Sequence, residues 1–476
     1  MDFFSNINFY VIFQILYVLT AIGVVIVVIS ENRNPLKTIS WVMILLLLPL
    51  VGLIIYYFFG EDNRKKRLIS RKMQKKLNRK ALERIDMQEI LNPPAQYKGL
   101  ITLLNNLKDT PIYGGNKISF FSSGQEKFDV LFSEIEKAQS HIHIQYYIYM
   151  DDEIGTRLKD LLIKKASEGV EVRLLYDDVG SWKVKNKFFK EMESNGIEVT
   201  PFLKVAFPLL TSRVNYRNHR KVVVIDGKTG FMGGMNVADR YVQGINGGVW
   251  RDSHFLLEGK AVYALQISFV TDWYSVTKEF ISSRKYFPTL SQEGNVLMQI
   301  ATSGPTGEFK EIHQGIFYAI TNAKKYIYIQ TPYFIPTDSL LLAIQTAAIS
   351  GVEVRLMIPK ESDTTFVHIA SLSYIKQLLS AGVKVYFYTA GFLHSKLMVI
   401  DDSLVITGSA NMDVRSFEHN FEIDAFIYNN NTASEARSIF EKDMEDSHLV
   451  NYEEWISRPW FNRFKESFFR LFTPLL

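Results

Sequence analysis

The sequence predicts an α/β protein of two similar halves, each a mixed β-sheet flanked by helices, related by a pseudo-twofold axis and preceded by a two-helix transmembrane hairpin. Three observations lead there. Two charge-free runs open the chain, at 9–30 and 38–60. A strand–helix–strand unit is written twice, at 140–178 and 325–363. Each copy is followed by His-x-Lys-x4-Asp, as NHRKVVVID at 218–226 and LHSKLMVID at 393–401.

The runs FYVIFQILYVLTAIGVVIVVIS and TISWVMILLLLPLVGLIIYYFFG are each long enough to cross ~30 Å of hydrocarbon as a helix. A cleaved leader fits the first run poorly: Asp2 precedes it, no Lys or Arg does, and no small-x-small site follows. Segment 61–80 then carries ten Lys or Arg against two acids. The positive-inside bias places it in the cytoplasm. Two spans return the chain to its starting side, so everything after residue 60 is expected to be cytoplasmic. The whole chain nets only +4, so the remainder is acidic on balance. Positive charge is concentrated beside the membrane, where an anionic lipid surface attracts it. That distribution argues against a nucleic-acid partner. No cysteine is present, which removes disulfides, thiolate nucleophiles and thiolate zinc sites.

In the repeat, SHIHIQYYIYMDDEIGTRLKDLLIKKASEGVEVRLLYDD aligns with KYIYIQTPYFIPTDSLLLAIQTAAISGVEVRLMIPKESD. Alternating β-branched residues predict the strands, and the Leu, Ile and Ala spacing predicts the helices between them. SNGIEVTPFL (194–203) then matches SAGVKVYFYT (380–389). The expected organisation is a membrane hairpin at 1–60, a basic cytoplasmic linker at 61–112, the halves at 113–290 and 291–450, and a tail at 451–476. The tail, with Trp460, Phe461, Phe464 and Phe468 beside Arg463, Lys465 and Arg470, reads either as an interfacial helix or as a helix docked on the core.

An extended chain puts His219 and Lys221 on one face, and likewise His394 and Lys396. Asp226 and Asp401 fall at odd offsets, point the other way and read as structural members of the motif. Asn236 stands seventeen residues after His219, and Asn411 seventeen after His394, each behind a Gly-Gly or Gly-Ser pair that lets backbone approach a ligand. Two imidazoles, two ammonium groups and two amides suit a phosphodiester. The cations and amides hold anionic oxygens, one histidine attacks phosphorus and the other protonates the departing oxygen. Each histidine needs a partner to fix its tautomer. Asp252 in VWRDSHF and Glu422 in NFEIDAF are the candidates, and both pairings are open. His141 and His143 face Tyr326 and Tyr328 in the other copy and read as packing or surface residues. No metal or cofactor is expected.

Two His-x-Lys-x4-Asp motifs, each followed by Gly-Gly/Ser and Asn, resemble the phospholipase D superfamily over roughly 113–430. With NPLKTISWVMILLLLPLVGLIIYYFFG, the basic linker and the ending ESFFRLFTPLL, the chain is similar to the bacterial cardiolipin synthases. The resemblance implies a multi-pass enzyme of the bacterial cell membrane that turns two phosphatidylglycerol molecules into cardiolipin and glycerol through a phosphatidyl-histidine. The superfamily's first-motif preference implies His219 as nucleophile and His394 as acid and base, with Lys221, Lys396, Asn236 and Asn411 on the phosphoryl oxygens. Hydrolysis by water and transfer to serine share this motif. A nuclease and a non-catalytic membrane scaffold are more distant alternatives.

Overall fold

The computed structural model describes residues 9–30, 35–48, 51–56, 73, 93–204, 216–245 and 247–473. The chain divides into two compact units, 1–65 with 205–215, and 66–204 with 216–476. Apart from Met73, the basic run 61–80 lies outside the described residues.

The first unit contains helices Phe9–Ser30, Pro35–Leu47 and Val51–Ile55. Pro49 has no N–H, so the Leu45 carbonyl, four residues back, has no helical donor. The Tyr17 hydroxyl of the first helix donates to that carbonyl at 2.8 Å. Trp41 and Tyr56 pack edge to face, 5.3 Å between centroids, beside the buried Leu45. No helix among the described residues is long and apolar enough to cross a membrane. The expected second run, 38–60, is divided between two helices, and its last residues lie outside the described set.

In the second unit, the first half supplies β1 (Tyr113–Phe121), β2 (His141–Tyr146), β3 (Glu171–Asp177), β4 (Glu198–Phe202), β5 (Val222–Ile225), β6 (Thr229–Gly233), β7 (Val249–Arg251) and β8 (His254–Glu258). The second half supplies β9 (Val296–Ser303), β10 (Tyr326–Gln330), β11 (Phe334–Ile335), β12 (Glu353–Pro359), β13 (Lys384–Tyr388), β14 (Gly391–Leu393), β15 (Leu397–Ile400), β16 (Leu404–Gly408), β17 (Met412–Asp413), β18 (Glu422–Tyr428) and β19 (Ser447–Leu449). Fifteen of these strands form one sheet. From its centre, the order outward is β1-β8-β6-β5-β2-β3-β4 on one side and β9-β18-β16-β15-β10-β12-β13-β19 on the other. Apart from the terminal β19, each strand occupies its counterpart's place. The central β1–β9 pair is antiparallel, as a twofold axis through the middle requires. β2, β3 and β4 run parallel, as do β10, β12 and β13, whereas β5 and β15 are antiparallel to their neighbours, so the sheet is mixed.

Strand periodicity explains why the halves are fused. Along β5, Val222 and Val224 enter a core shared with Leu397 and Val399 of β15, while Val223 and Ile225 enter a core built mainly from the first half, which Phe392 of the second half also joins. Met398 and Ile400 do the same for the second half. β5 and β15 are buried on both faces, which is why they read as unbroken apolar runs. The crossover helices Glu153–Ser167 and Asp338–Ile349 start at Asp152 and Thr337, whose side chains accept from the N–H of Gly155 and Leu340.

At the C-terminus, helix Trp460–Arg470 lies against helix Thr365–Leu372, with Phe469 and Phe366 4.8 Å apart and the Arg470 guanidinium 4.3 Å over the Tyr374 ring. Its other face leaves Trp460, Phe461, Phe464 and Phe468 exposed.

Candidate active site

The residues just before β5 and β15 leave the main sheet and cross to the opposite half. Asn218 bridges Phe421 in parallel; the His219 N–H donates to the Phe421 carbonyl at 3.0 Å, and the Phe421 N–H to the Arg217 carbonyl at 2.9 Å. Across the pseudo-twofold, β14 pairs in parallel with β7, Leu393 lies opposite Arg251, and the His394 N–H donates to the Arg251 carbonyl. Parallel chains advance side by side, so the next residues also meet. Phe421 is followed by Glu422 and Arg251 by Asp252.

The pairing is therefore crossed. His219 Nδ1 lies 3.0 Å from the Glu422 carboxylate and 3.1 Å from the Ser409 carbonyl. His394 Nδ1 lies 2.7 Å from Asp252 Oδ2. Each half lends its acid to the other half's imidazole. With Nδ1 engaged, Nε2 is the nitrogen of His219 left to face a substrate.

Both lysines fold back onto their own histidines. Lys221 donates to the His219 carbonyl at 2.5 Å. Lys396 donates to the His394 carbonyl, and its Nζ lies 2.8 Å from that residue's Nδ1 and 3.2 Å from its Nε2. Burial lowers Lys221 well below the usual lysine range, and Lys396 to about 8. The histidines respond to both halves. Burial, then Lys221, then Lys396 of the other half, hold His219 well below its ordinary value. Burial and Lys396 bring His394 to about 4 against the pull of Asp252.

The two acids differ. Burial would raise Asp252, but Lys396 and His394 outweigh it and hold the carboxyl at about 2. Burial dominates at Glu422 and pushes it up to about 7, against Lys221 and hydrogen bonds from Ser409 and Asn420. Asp252 is thus firmly ionised, while Glu422 is poised to carry a proton.

The glycine pairs expected to admit a ligand admit a carboxylate instead. A Cβ on Gly234 would stand 2.1 Å from Asp252 Oδ1. Ser409 holds the equivalent place in the second half, and its hydroxyl donates to Glu422. The amides are also unequal. Asn236 accepts from the Ile148 N–H at 3.0 Å and donates to the Tyr241 hydroxyl at 2.5 Å. Asn411 donates to Asp413 at 3.2 Å, and its Oδ1 has no hydrogen-bond partner among the described residues.

Asp226 and Asp401 lie at the far ends of β5 and β15, up to ~23 Å of extended chain from their histidines. Asp226 accepts from the N–H groups of Gln139, Ser140 and His141, and Asp401 from those of Lys324, Lys325 and Tyr326. They fasten the entries to β2 and β10. His141 and His143 are buried, and His143 stacks on Phe269 at 4.5 Å.

Sequence reasoning missed a supporting layer. Asp272 accepts from Arg220 at 2.6 Å, Gln145 at 2.7 Å and Asn218 at 3.0 Å, and Arg220 Nε donates to the Glu422 carbonyl at 3.1 Å. Asp443 accepts from Arg251 at 2.8 Å and Gln330 at 2.7 Å. Gln145 and Gln330 occupy matching places in the repeat, a signal that was available. The rings of Tyr147, 5.0 Å from His219, and Trp250, 5.2 Å from His394, wall the site.

Residues 131–249 and 316–444 match the family described as cardiolipin synthase, PLD-like domain. The chain belongs to this family. Residues 15–61 match the phospholipase D-nuclease N-terminal family. The major cardiolipin synthase ClsA of Bacillus subtilis is 41% identical over 98% of this chain and 99% of its own length. A cardiolipin synthase of Geobacillus kaustophilus is 40% identical over 98% of this chain and 94% of its own. A phosphatidylserine synthase structure from Haemophilus influenzae aligns with 78% of this chain and 96% of its own, with a TM-score of 0.60 at 15% identity, and shares the fold.

Proposed function

We propose that the protein transfers a phosphatidyl group between two phosphatidylglycerol molecules, giving cardiolipin and glycerol. The observation that carries the reading is the crossed pairing, which sets two tautomer-fixed imidazoles at one seam. The names of relatives about 40% identical over nearly the whole chain support it.

His219 Nε2 attacks phosphorus of the first lipid, and the bond from phosphorus to the glycerol oxygen breaks. His394 gives that oxygen its proton. A hydroxyl of the second phosphatidylglycerol then passes its proton to His394 and attacks phosphorus, and the bond to His219 breaks. The unequal acids favour these roles. Ionised Asp252 opposes the burial that holds His394 at about 4 and so favours a proton there, whereas Glu422, near 7, gives His219 less support and leaves it a neutral nucleophile. Lys221, Lys396, Asn236 and Asn411 bind the phosphoryl oxygens, the ammonium groups turning outward when an anion arrives. Asp226 and Asp401 serve by holding the frame.

The runs 9–30 and 38–60 form a membrane hairpin, the basic stretch 61–80 of the 61–112 linker lies on the anionic cytoplasmic leaflet, and 113–290 with 291–450 form the catalytic body in the cytoplasm of a bacterium. The exposed aromatic face of the 451–476 tail rests on the same leaflet. No nucleic-acid partner is involved. Purified full-length protein given phosphatidylglycerol alone in detergent yields cardiolipin and glycerol in equal amounts. Phosphatidic acid as sole product would overturn the reading in favour of hydrolysis.

A further inference from the structure

Making cardiolipin from two phosphatidylglycerols poses a problem the histidine–lysine pairs do not solve. The acceptor brings a phosphodiester of its own. When its hydroxyl lies at His394, that second anion lies one glycerol away and needs a separate cation.

Arg240 stands at that place. It follows Asn236 by four residues, and its guanidinium lies 5.1 Å over the Trp250 ring and 5.5 Å over the Tyr241 ring. Those rings are 5.2 Å and 6.3 Å from the His394 ring. Arg240 therefore sits one aromatic layer out from His394. Its Nε is buried without a hydrogen-bond partner among the described residues, although its side chain also reaches Tyr241. On the same side, the Tyr333 ring lies 6.4 Å from His394, and its hydroxyl donates to Asp363 at 2.6 Å. The Asp363 charge is felt at His394, Lys396 and Arg240. A carboxylate there can accept from a glycerol hydroxyl but repels a phosphate, which makes Arg240, among the described residues, the cation stacked beside His394 for the second anion. Arg415, four residues after Asn411, acts on His219, the nucleophile's side.

We propose that Arg240, stacked on Trp250 and Tyr241 beside His394, binds the phosphodiester of the acceptor lipid and so selects an anionic alcohol over water or free glycerol. Planar, stacked and forked, a guanidinium suits a phosphodiester better than an ammonium does. The inference rests on the phosphatidyl-transfer reading, and the test separates the two.

Full-length enzyme in phosphatidylglycerol micelles with radiolabelled glycerol runs two reactions at once. Cardiolipin formation needs an acceptor with a phosphate. Exchange of labelled glycerol into phosphatidylglycerol uses the same donor, the same His219 intermediate and a neutral acceptor. Arg240→Gln lowers cardiolipin formation about 10- to 100-fold, the loss of a charge-assisted hydrogen bond, and leaves exchange within about twofold. Arg240→Lys falls between. Equal loss of both reactions would place Arg240 in the donor step or the fold and overturn the proposal, as would unchanged cardiolipin formation. Wild-type enzyme that performs neither reaction would defeat the phosphatidyl-transfer reading itself.

Discussion

Asp252→Asn offers the sharpest test of how the site divides its labour. The wild-type carboxyl sits at about 2 against an ordinary 3.8, chiefly because Lys396 and His394 outweigh its burial. At ~1.4 kcal/mol per pKa unit, that difference is about 2 kcal/mol. A depressed carboxyl stabilises the fold at pH values above its unfolded value, and the contribution is lost as pH falls from about 4 towards 2. Asn keeps the shape and removes the charge, so about 2 kcal/mol is withdrawn from the fold, and an imidazolium at His394 loses the part of it that Lys396 does not account for. Protonation of the departing glycerol then slows by up to about 30-fold. A phosphatidyl ester of p-nitrophenol needs no proton on its leaving group. Stopped-flow release of nitrophenolate by Asp252→Asn is therefore expected within about threefold of wild type, while cardiolipin formation falls by about 10- to 30-fold. Glu422→Gln, which loosens the nucleophile's imidazole, slows both. The opposite pattern, in which Glu422→Gln is rescued by the good leaving group and Asp252→Asn is not, would reverse the roles of the two histidines.

Two further outcomes follow from the same geometry. Glu422 is raised to about 7 by burial, so the folded protein holds a proton that the unfolded chain releases from about pH 4.5 upward; stability declines as pH rises from there to about 7. Thermal melts of Glu422→Gln should show a flatter dependence across that window, and a slope equal to wild type would contradict the assignment. Gly234→Ala places a methyl 2.1 Å from Asp252 Oδ1, an overpacking that costs about 1–3 kcal/mol and turns the carboxylate away from His394. Cardiolipin formation should fall with it, and full activity in this variant would show that Asp252 does not need its present position.

The halves, their alternating elements and both chemical motifs were legible in the sequence because duplication exposes whatever is kept at equal spacing. His219 with Lys221 and His394 with Lys396 needed nothing more than that. The partners of the imidazoles were only half legible. Asp252 and Glu422 stood out, but which served which depended on two short parallel bridges, Asn218 to Phe421 and β14 to β7, whose members lie more than a hundred residues apart. The role of Gly234 was hidden for the same reason, since the atom it avoids belongs to Asp252. Asp272 and Asp443 left no trace, because a single buried acid on a helix has no periodic signature. The N-terminal apolar runs were plain in composition, yet the second is divided between helices Pro35–Leu47 and Val51–Ile55.

The exchange of carboxylates across the seam makes the molecule indivisible. A half cut free would keep its histidine and its lysine, yet the imidazole would swing unmoored, its guiding acid left behind on the discarded piece. Neither fragment would retain half the activity; function would return only when both were present and docked, or when one folded against a second copy of itself.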